Sequence, residues 1–477
     1  MTSDLVGGSW QACVTETGIQ LENPATGDVI GPALGSSPER VEAALAAADA
    51  LGGWDADPGE RAEILEKVAA AVAGAAGEIV ALEAKATGVP IRQTTPLGMI
   101  LAGAFALAAG QLRAGLLTST TTREDGREVL VERLPWGPAA CLVPWNAPAP
   151  MAAHKVANAL AAGCPTILKP SDYAPSGTER LAVAIHEALR EAGAPPALFQ
   201  LLHGGADVGA RIVGDPRIRA VSFTGGLGGG RAVAAACAYD IKPVQLELGG
   251  NNALIVMPDA NEDAAARAAA DLLTTLNGQW CRALGRLIVP AGREQPLTAK
   301  ILERVEMLRT GDPADEATDY GPLIHSGHRA TVIKARDELG GTVHEADLEG
   351  PGNTLAPSLV TGADPARTTG EIFGPVAAVH GYRDLDEAIA LANGTRYGLE
   401  GYVIGTDESR ALETARRVRA GEVKVNGSSI MSLHLFTPRP AWGISGYSAE
   451  GTAETLLFFT NPRVVGVEGG FALHSRA

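Results

Sequence analysis

The chain has 477 residues, 46% of them hydrophobic and 20% charged. That length exceeds one hydrophobic core, and that balance excludes disordered and fibrous classes. A formal net charge of −16 repels phosphate backbones and anionic lipid, which argues against nucleic acid as a partner.

MTSDLVGGSW lacks a basic stretch followed by an apolar core, and no segment offers about 18 uninterrupted apolar residues. The expectation is a cytoplasmic protein without a membrane partner. Along the first quarter, SSPERVEAALAAADA and PGERAEILEKVAAAVAGAAGEIVALEAKATG carry apolar residues at three- and four-residue spacing. Acidic residues come early and glycine ends the second, so this quarter is expected to be mostly helical. REDGREVLVERLPWG then places an Asp-Gly turn inside a Val/Leu alternation, the pattern of an exposed antiparallel arm.

From residue 139 short apolar runs alternate with helical segments: AACLVPWN, PTILKPSD, ALFQLLHG, IRAVSFTGG and KPVQLELGG. This alternation predicts a parallel, doubly wound α/β sheet whose ligand lies beyond the carboxyl ends of the strands. After residue 247 a second α/β set runs through CRALGRLIVP, EIFGPVAAVHGY and GEVKVNG. The last stretch, TAETLLFFTNPRVVGVEGG, reads as an exposed apolar strand able to pair with the early arm or with a second subunit.

Five cysteines, Cys13, Cys141, Cys164, Cys237 and Cys281, are widely spaced without a C-x-x-C pair. Neither a disulfide framework nor a metal site is expected, and a small buried hydrophobe is the ordinary role of each. Cys281 stands apart because it falls in NGQWCRALGR, between a helical run and a strand.

Other residues gather at predicted strand ends. FTGGLGGGR (223–231) leads into a helix, where amides can face a phosphate, although the G-x-G-x-x-G spacing is missing. Lys169 follows one strand and can reach ribose hydroxyls. Asp172, three residues later, would accept a ribose hydroxyl and repel a 2′-phosphate, favouring NAD over NADP. Asn146 ends another strand in a turn between Pro144 and Pro148, where an amide can donate to a developing oxyanion. Glu247 precedes Gly249 and Gly250, which permit close backbone approach to a ligand.

PWN (144–146), KPSDYAP (169–175), FTGG (223–226), ELGG (247–250), GQWC (278–281) and EIFGP (371–375) occur in this order, with Glu247 and Cys281 34 residues apart. In these motifs nearly the whole chain, from ENPATGDVI onward, resembles the NAD(P)-dependent aldehyde dehydrogenase superfamily. The resemblance implies a Rossmann-like doubly wound cofactor domain (1–116 and 138–247), a second α/β catalytic domain (248–442) and a return segment (443–454). A small β oligomerisation arm (117–137 and 455–477) would build a homodimer or homotetramer.

It also implies residue roles. Cys281 would attack the aldehyde as a thiolate, and Asn146 with the Cys281 N–H would hold the oxyanion. Glu247 would activate the water that hydrolyses the thioester. Lys155 and Glu450 match positions tied to positioning or proton relay. NAD, with NADP as the alternative, would be held by Trp145, Lys169, Ser171, Asp172, Phe223, Thr224, Gly225, Gly226, Gly229, Leu248, Gly249, Glu371 and Phe373. Trp280, Arg282 and Phe436 would border the substrate, and PWNAP is similar to members that oxidise aromatic or other apolar aldehydes.

Three features depart from the family pattern. Gly226 stands where serine is usual, with Gly228, Gly229 and Gly230 where bulkier residues occur. Asn251 replaces a common lysine, and PRPAWGISGY replaces a glycine-rich approach to the last crossing. Two other readings use the same fold: a CoA-acylating semialdehyde dehydrogenase, and a dinucleotide-binding protein without catalysis.

Overall fold

The computed structural model describes residues 2–470. Its first large sheet has eight strands, in the order Ser9–Ala12, Ser3–Val6, Phe199–Leu201, Thr166–Lys169, Ala139–Leu142, Ala220–Thr224, Val244–Glu247 and Gly446–Tyr447. The five strands from Phe199–Leu201 to Val244–Glu247 are mutually parallel. Register explains why so many motifs meet. Leu142 pairs with Lys169 and with Phe223, and Thr224 pairs with Glu247. The residues that follow each strand therefore leave the sheet at one edge, which is where a doubly wound sheet binds its ligand.

A second sheet has seven strands, in the order Thr342–Glu345, Ser358–Thr361, Val376–Tyr382, Leu284–Pro290, Asn252–Val256, Glu400–Ile404 and Glu422–Val425. Only its first pair is antiparallel. The central strands are buried on both faces, with Leu254, Ile255, Leu287, Ile288 and Val403 inaccessible to solvent, as parallel strands covered by helices must be.

The arm forms as the turn chemistry requires. Thr118–Thr122 and Glu128–Pro135 pair antiparallel, and Thr460–Gly466 joins along the full length of the second strand. The closing segment differs from its expected form: Glu454–Phe458 is one turn of helix, and only the part after it is strand. Thr455, Leu456 and Phe459 bury against the core, so their spacing serves packing rather than strand alternation. Positions 471–477 of the expected arm lie outside the described residues.

The first quarter is mostly helical, as expected, but it also holds strands that the sequence did not announce. Before any helix come four strands, Ser3–Val6, Ser9–Ala12, Thr15–Glu22 and Val29–Gly35. All are short, only Ser3–Val6 is largely buried, and the first turn relies on Gly7 and Gly8 at positive φ. No long apolar alternation announces them. The helices themselves follow their capping signals: Asp57 accepts from Glu60 N–H to start Pro58–Thr87, and Gly88, left-handed at φ 79, ends it. The next helix, Ile91–Arg113, is long and apolar enough by length and composition to cross a membrane. Here it packs on Pro58–Thr87 and Pro148–Ala162, with Leu101, Phe105 and Leu112 in the core.

Candidate active site

The segment that carries Cys281 is held in a conformation an ordinary loop would not keep. The helix Glu262–Thr274 gives way to a tight turn in which Leu276, Asn277 and Gly278 have φ of 50, 56 and 72. Successive left-handed residues are unfavourable and persist only where neighbours over-determine them. Asn277 Nδ2 donates to the carbonyls of Gly88 (2.9 Å) and Pro322 (3.0 Å), while its Oδ1 accepts from Gly321 N–H at 2.9 Å. Gln279 Oε1 accepts from Ile324 N–H. Asn252 Nδ2 donates to the Cys281 carbonyl at 3.0 Å. A side chain at Gly278 would place Cβ 2.4 Å from Pro375 N, so only glycine fits.

This turn delivers Cys281 to a cavity of about 630 Å³. The other four cysteines are buried, whereas Cys281 is partly accessible. Burial pushes its thiol up to about 12, against the pull of the adjacent Arg282. The resting group is therefore a thiol, and its attack requires a base or a change of surroundings.

Asn146, Glu247 and Glu450 line the same cavity as Cys281. Asn146 Nδ2 donates to Gln279 O at 2.9 Å, tying the amide to the cysteine turn. Glu247 is 7% exposed, and its Oε1 is buried without a hydrogen-bond partner among the described residues. Burial, with negative Glu450 beside it, raises its carboxyl above the ordinary range, so it can exchange a proton near neutrality. Glu450 goes the other way: burial opposes its charge, but Lys155 at 2.7 Å, with His154 and Arg439, holds it below that range. Lys155 does not reach the cavity wall. It is fully buried and donates to Glu450 Oε1 and to Ser222 Oγ, which in turn donates to Gln245 Oε1.

All thirteen residues expected to hold a dinucleotide line this cavity. Lys169 Nζ donates to Gly204 O at 2.6 Å and Pro170 O at 3.0 Å, and burial lowers its pKa against the pull of Asp172. Asp172 Oδ2 and Thr224 Oγ1 are buried without partners among the described residues, an unmet demand that a polar ligand would satisfy. Ser171, Trp145 and Leu248 complete this wall.

The glycines divide into two kinds. A Cβ at Gly225 or Gly229 would lie 2.6 or 3.0 Å from the Phe223 ring, and one at Gly249 would lie 2.1 Å from Glu371 Oε2. At Gly226 and Gly228 such a Cβ would meet nothing within 4 Å. Gly226 precedes Leu227–Tyr239 as its N-cap with no side-chain hydrogen bond, leaving amides free to face a phosphate. On the far wall Glu371 Oε1 accepts from Gly250 N–H at 2.8 Å, and burial pushes its carboxyl up to about 7. Phe373 packs edge-on against Trp145, with ring centroids 5.4 Å apart. Buried acceptors, open amides and a glycine-lined approach fit a dinucleotide.

Three placements refine the expected substrate wall. Trp280 lines the cavity with its ring otherwise buried in the core. Arg282 also lines it, but its Nη1 is directed to Glu400 (2.6 Å) and Glu422 (3.3 Å). Phe436 does not line it. Its ring lies tilted against that of His434 and the residue is 57% exposed; its N–H donates to His434 Nδ1. From the same loop Ile430 and Met431 line the cavity instead.

Sequence reasoning also passed over His328. It lines the cavity between Trp145 and Phe373, with Nε2 2.8 Å from Phe373 O. Burial lowers its pKa to about 4, so a neutral ring donates from Nε2 to that carbonyl. Leu97 and Ile100, from the apolar Ile91–Arg113 helix, complete the wall. Neither position carries a motif. Only the pairing of histidines at 325 and 328 on one helical turn was there to be read.

Comparison with known proteins bears on the family and the fold. The profile of the Aldehyde dehydrogenase family matches residues 10–465. A geranial dehydrogenase of Castellaniella defragrans is 33% identical over 88% of this chain and 90% of its own. A betaine aldehyde dehydrogenase of Cereibacter sphaeroides is 34% identical over 95% of both. The crystal structure of an NAD-dependent aldehyde dehydrogenase from Sinorhizobium meliloti superposes with a TM-score of 0.90 at 30% identity, covering 99% of this chain and 96% of that one. The chain belongs to the aldehyde dehydrogenase family.

Proposed function

We propose that this protein oxidises an aldehyde to the carboxylic acid with NAD and water. The observation that carries the reading is the convergence of Cys281, Asn146 and Glu247 on one cavity, each delivered by a different element. Cys281 gives up its thiol proton to solvent as Sγ bonds the carbonyl carbon, and the oxyanion so formed accepts from Asn146 Nδ2 and the Cys281 N–H. Donors of this kind are each worth about 3 kcal/mol in a water-poor site. NAD, held by the wall residues named below, would supply the hydride acceptor that turns the thiohemiacetal into the thioester. Glu247 then takes a proton from water as the oxygen attacks the thioester, and the thiol leaves with the acid released. Lys155 and Glu450 hold a buried charge pair beside that base, placed to pass its proton onward.

The wall residues Trp145, Lys169, Ser171, Asp172, Phe223, Thr224, Gly225, Gly226, Gly229, Leu248, Gly249, Glu371 and Phe373 form the dinucleotide site. Asp172 supports NAD, because a 2′-phosphate would meet its carboxylate. Leu97, Ile100, Trp280, Ile430 and Met431 support an aromatic or other apolar aldehyde. Residues 1–116 and 138–247 act as the cofactor domain, 248–442 as the catalytic domain and 443–454 as the return segment. The arm strands assemble a homodimer or homotetramer. The exposed Val464 and Val465, and the outer edges of that three-stranded sheet, which pair with no further strand among the described residues, support this.

One assay tests the reading: formation of reduced cofactor from short aliphatic, long aliphatic and aromatic aldehydes, with NAD or NADP and with or without CoA. The expected result is NAD-dependent turnover that needs no CoA and is abolished by Cys281→Ala. Turnover unchanged in Cys281→Ala removes the nucleophile, and a requirement for CoA establishes the acylating reaction instead.

A further inference from the structure

Beside the nucleophile lies a buried cluster of four charges that the chemistry above does not use. Arg282 Nη1 donates to Glu400 Oε2 at 2.6 Å and to Glu422 Oε2 at 3.3 Å, while Lys424 Nζ stands 2.5 Å from Glu400 Oε1. The side chains are 11%, 0%, 10% and 5% exposed for Arg282, Glu400, Glu422 and Lys424. Glu400 and Glu422 are direct partners on adjacent parallel strands, so two carboxylates are forced side by side and two cations neutralise them. Burying such a set gains little stability over apolar residues of the same size. Its geometry points to a different purpose.

Glu422 and Lys424 alternate in register on one face of their strand, and each holds a backbone group of the loop that follows. Lys424 Nζ donates to Ser429 O at 2.8 Å, and Glu422 Oε1 accepts from Leu433 N–H at 2.7 Å. Between those two anchors lie Ile430 and Met431, the loop residues that line the cavity. We propose that Glu422 and Lys424 are positioning residues which, locked to Arg282 through Glu400, clamp the 429–433 loop and thereby set the fit of the aldehyde's apolar body relative to Cys281. The cluster joins the residue after the nucleophile to the wall that the substrate meets. A shift of that wall changes binding of a large aldehyde and leaves the reacting atoms in place.

The inference rests on the aldehyde-oxidising reading and is tested on the full-length enzyme with one short aliphatic and one aromatic aldehyde. Glu422→Met removes both the acceptor for Leu433 N–H and a partner of Arg282. Leu433→Pro removes the N–H, fixes φ at that residue and leaves the four buried charges in place. Both variants are expected to raise KM for the aromatic aldehyde about tenfold, the scale at which a loosened apolar pocket loses discrimination. KM for the short aldehyde and kcat for both stay near the parent values. Glu422→Gln, which keeps an acceptor for Leu433, restores the aromatic KM to within about twofold of the parent. An unchanged ratio of aromatic to short KM in Leu433→Pro overturns the clamp, even if Glu422→Met misfolds or melts at lower temperature. A parent enzyme that turns over neither aldehyde overturns the functional reading itself.

Discussion

The turn that presents Cys281 and the glycine run that begins at Gly225 face one cavity, yet they are built in opposite ways. Around the cysteine every degree of freedom is occupied: Asn277 makes three hydrogen bonds, Gln279 and Asn252 add others, and Gly278 leaves no room for a side chain. A Cβ added at Gly226 or Gly228 would meet nothing within 4 Å, and the helix they open lacks a side-chain cap. Covalent chemistry needs its atoms held to a fraction of an ångström. Phosphate binding by backbone amides needs open N–H groups and tolerates looser walls.

After the loss of Cys281 itself, the largest effect is expected at the base that serves the rigid side. In Glu247→Gln the acyl-enzyme still forms but hydrolyses slowly, so kcat falls by about 10² to 10⁴, the contribution of a positioned general base. The parent enzyme carries a matching pH signature. Burial first, then Glu450, raises the Glu247 carboxyl, so the base is protonated at acidic pH. Deacylation rises as pH climbs through that raised value and levels above it. A kcat profile that rises and levels near the ordinary carboxylate value, or the same rise in Glu247→Gln, would show that another group takes the proton.

Next comes Gly278→Ala, which attacks the rigidity directly. Its Cβ would meet Pro375 N at 2.4 Å from a φ of 72, so the turn must move. Displacement of a nucleophile by about 1 Å costs about a hundredfold in kcat, and the rate of thiol alkylation at Cys281 should change with it. NAD affinity, measured by calorimetry, should not. Equal losses in both would mean that the two regions are coupled rather than separately built.

The same contrast explains what the amino-acid order discloses. The parallel sheets were legible because buried strands and amphipathic helices alternate, and register then carries Asn146, Lys169, Thr224 and Glu247 to one edge without further information. Cys281 was legible through its motif, but the left-handed turn beneath it was not: Asn277 and Gly278 tolerate positive φ without requiring it, and nothing in the sequence announces that Leu276 shares it. Four short strands in the first 35 residues escaped because Ser3–Val6 is only four residues long and the other three are largely exposed and carry no apolar run. Phe436 was assigned to the substrate wall by analogy with a loop, and loops are the most variable parts of a fold. His328, Leu97 and Ile100 reach the cavity through tertiary packing alone.

The smallest effect probes the open side. Gly226 has φ −71 and ψ 155, the extended geometry of a good N-cap, and a Cβ there meets nothing within 4 Å. Gly226→Ser therefore adds a hydroxyl that can accept from the first-turn amides, and it also narrows the unfolded ensemble. Each contribution is worth a few tenths of a kcal/mol, which in a chain of this size raises Tm by about one degree. The affinity for NAD should change by less than about threefold, since the hydroxyl either competes for an amide or adds a donor of similar strength. A loss of stability would mean that the helix start is packed rather than open. A loss of NAD affinity well beyond threefold would mean that the bare amides themselves are the binding site, and that this stretch is as tightly specified for its ligand as the cysteine turn is for its nucleophile.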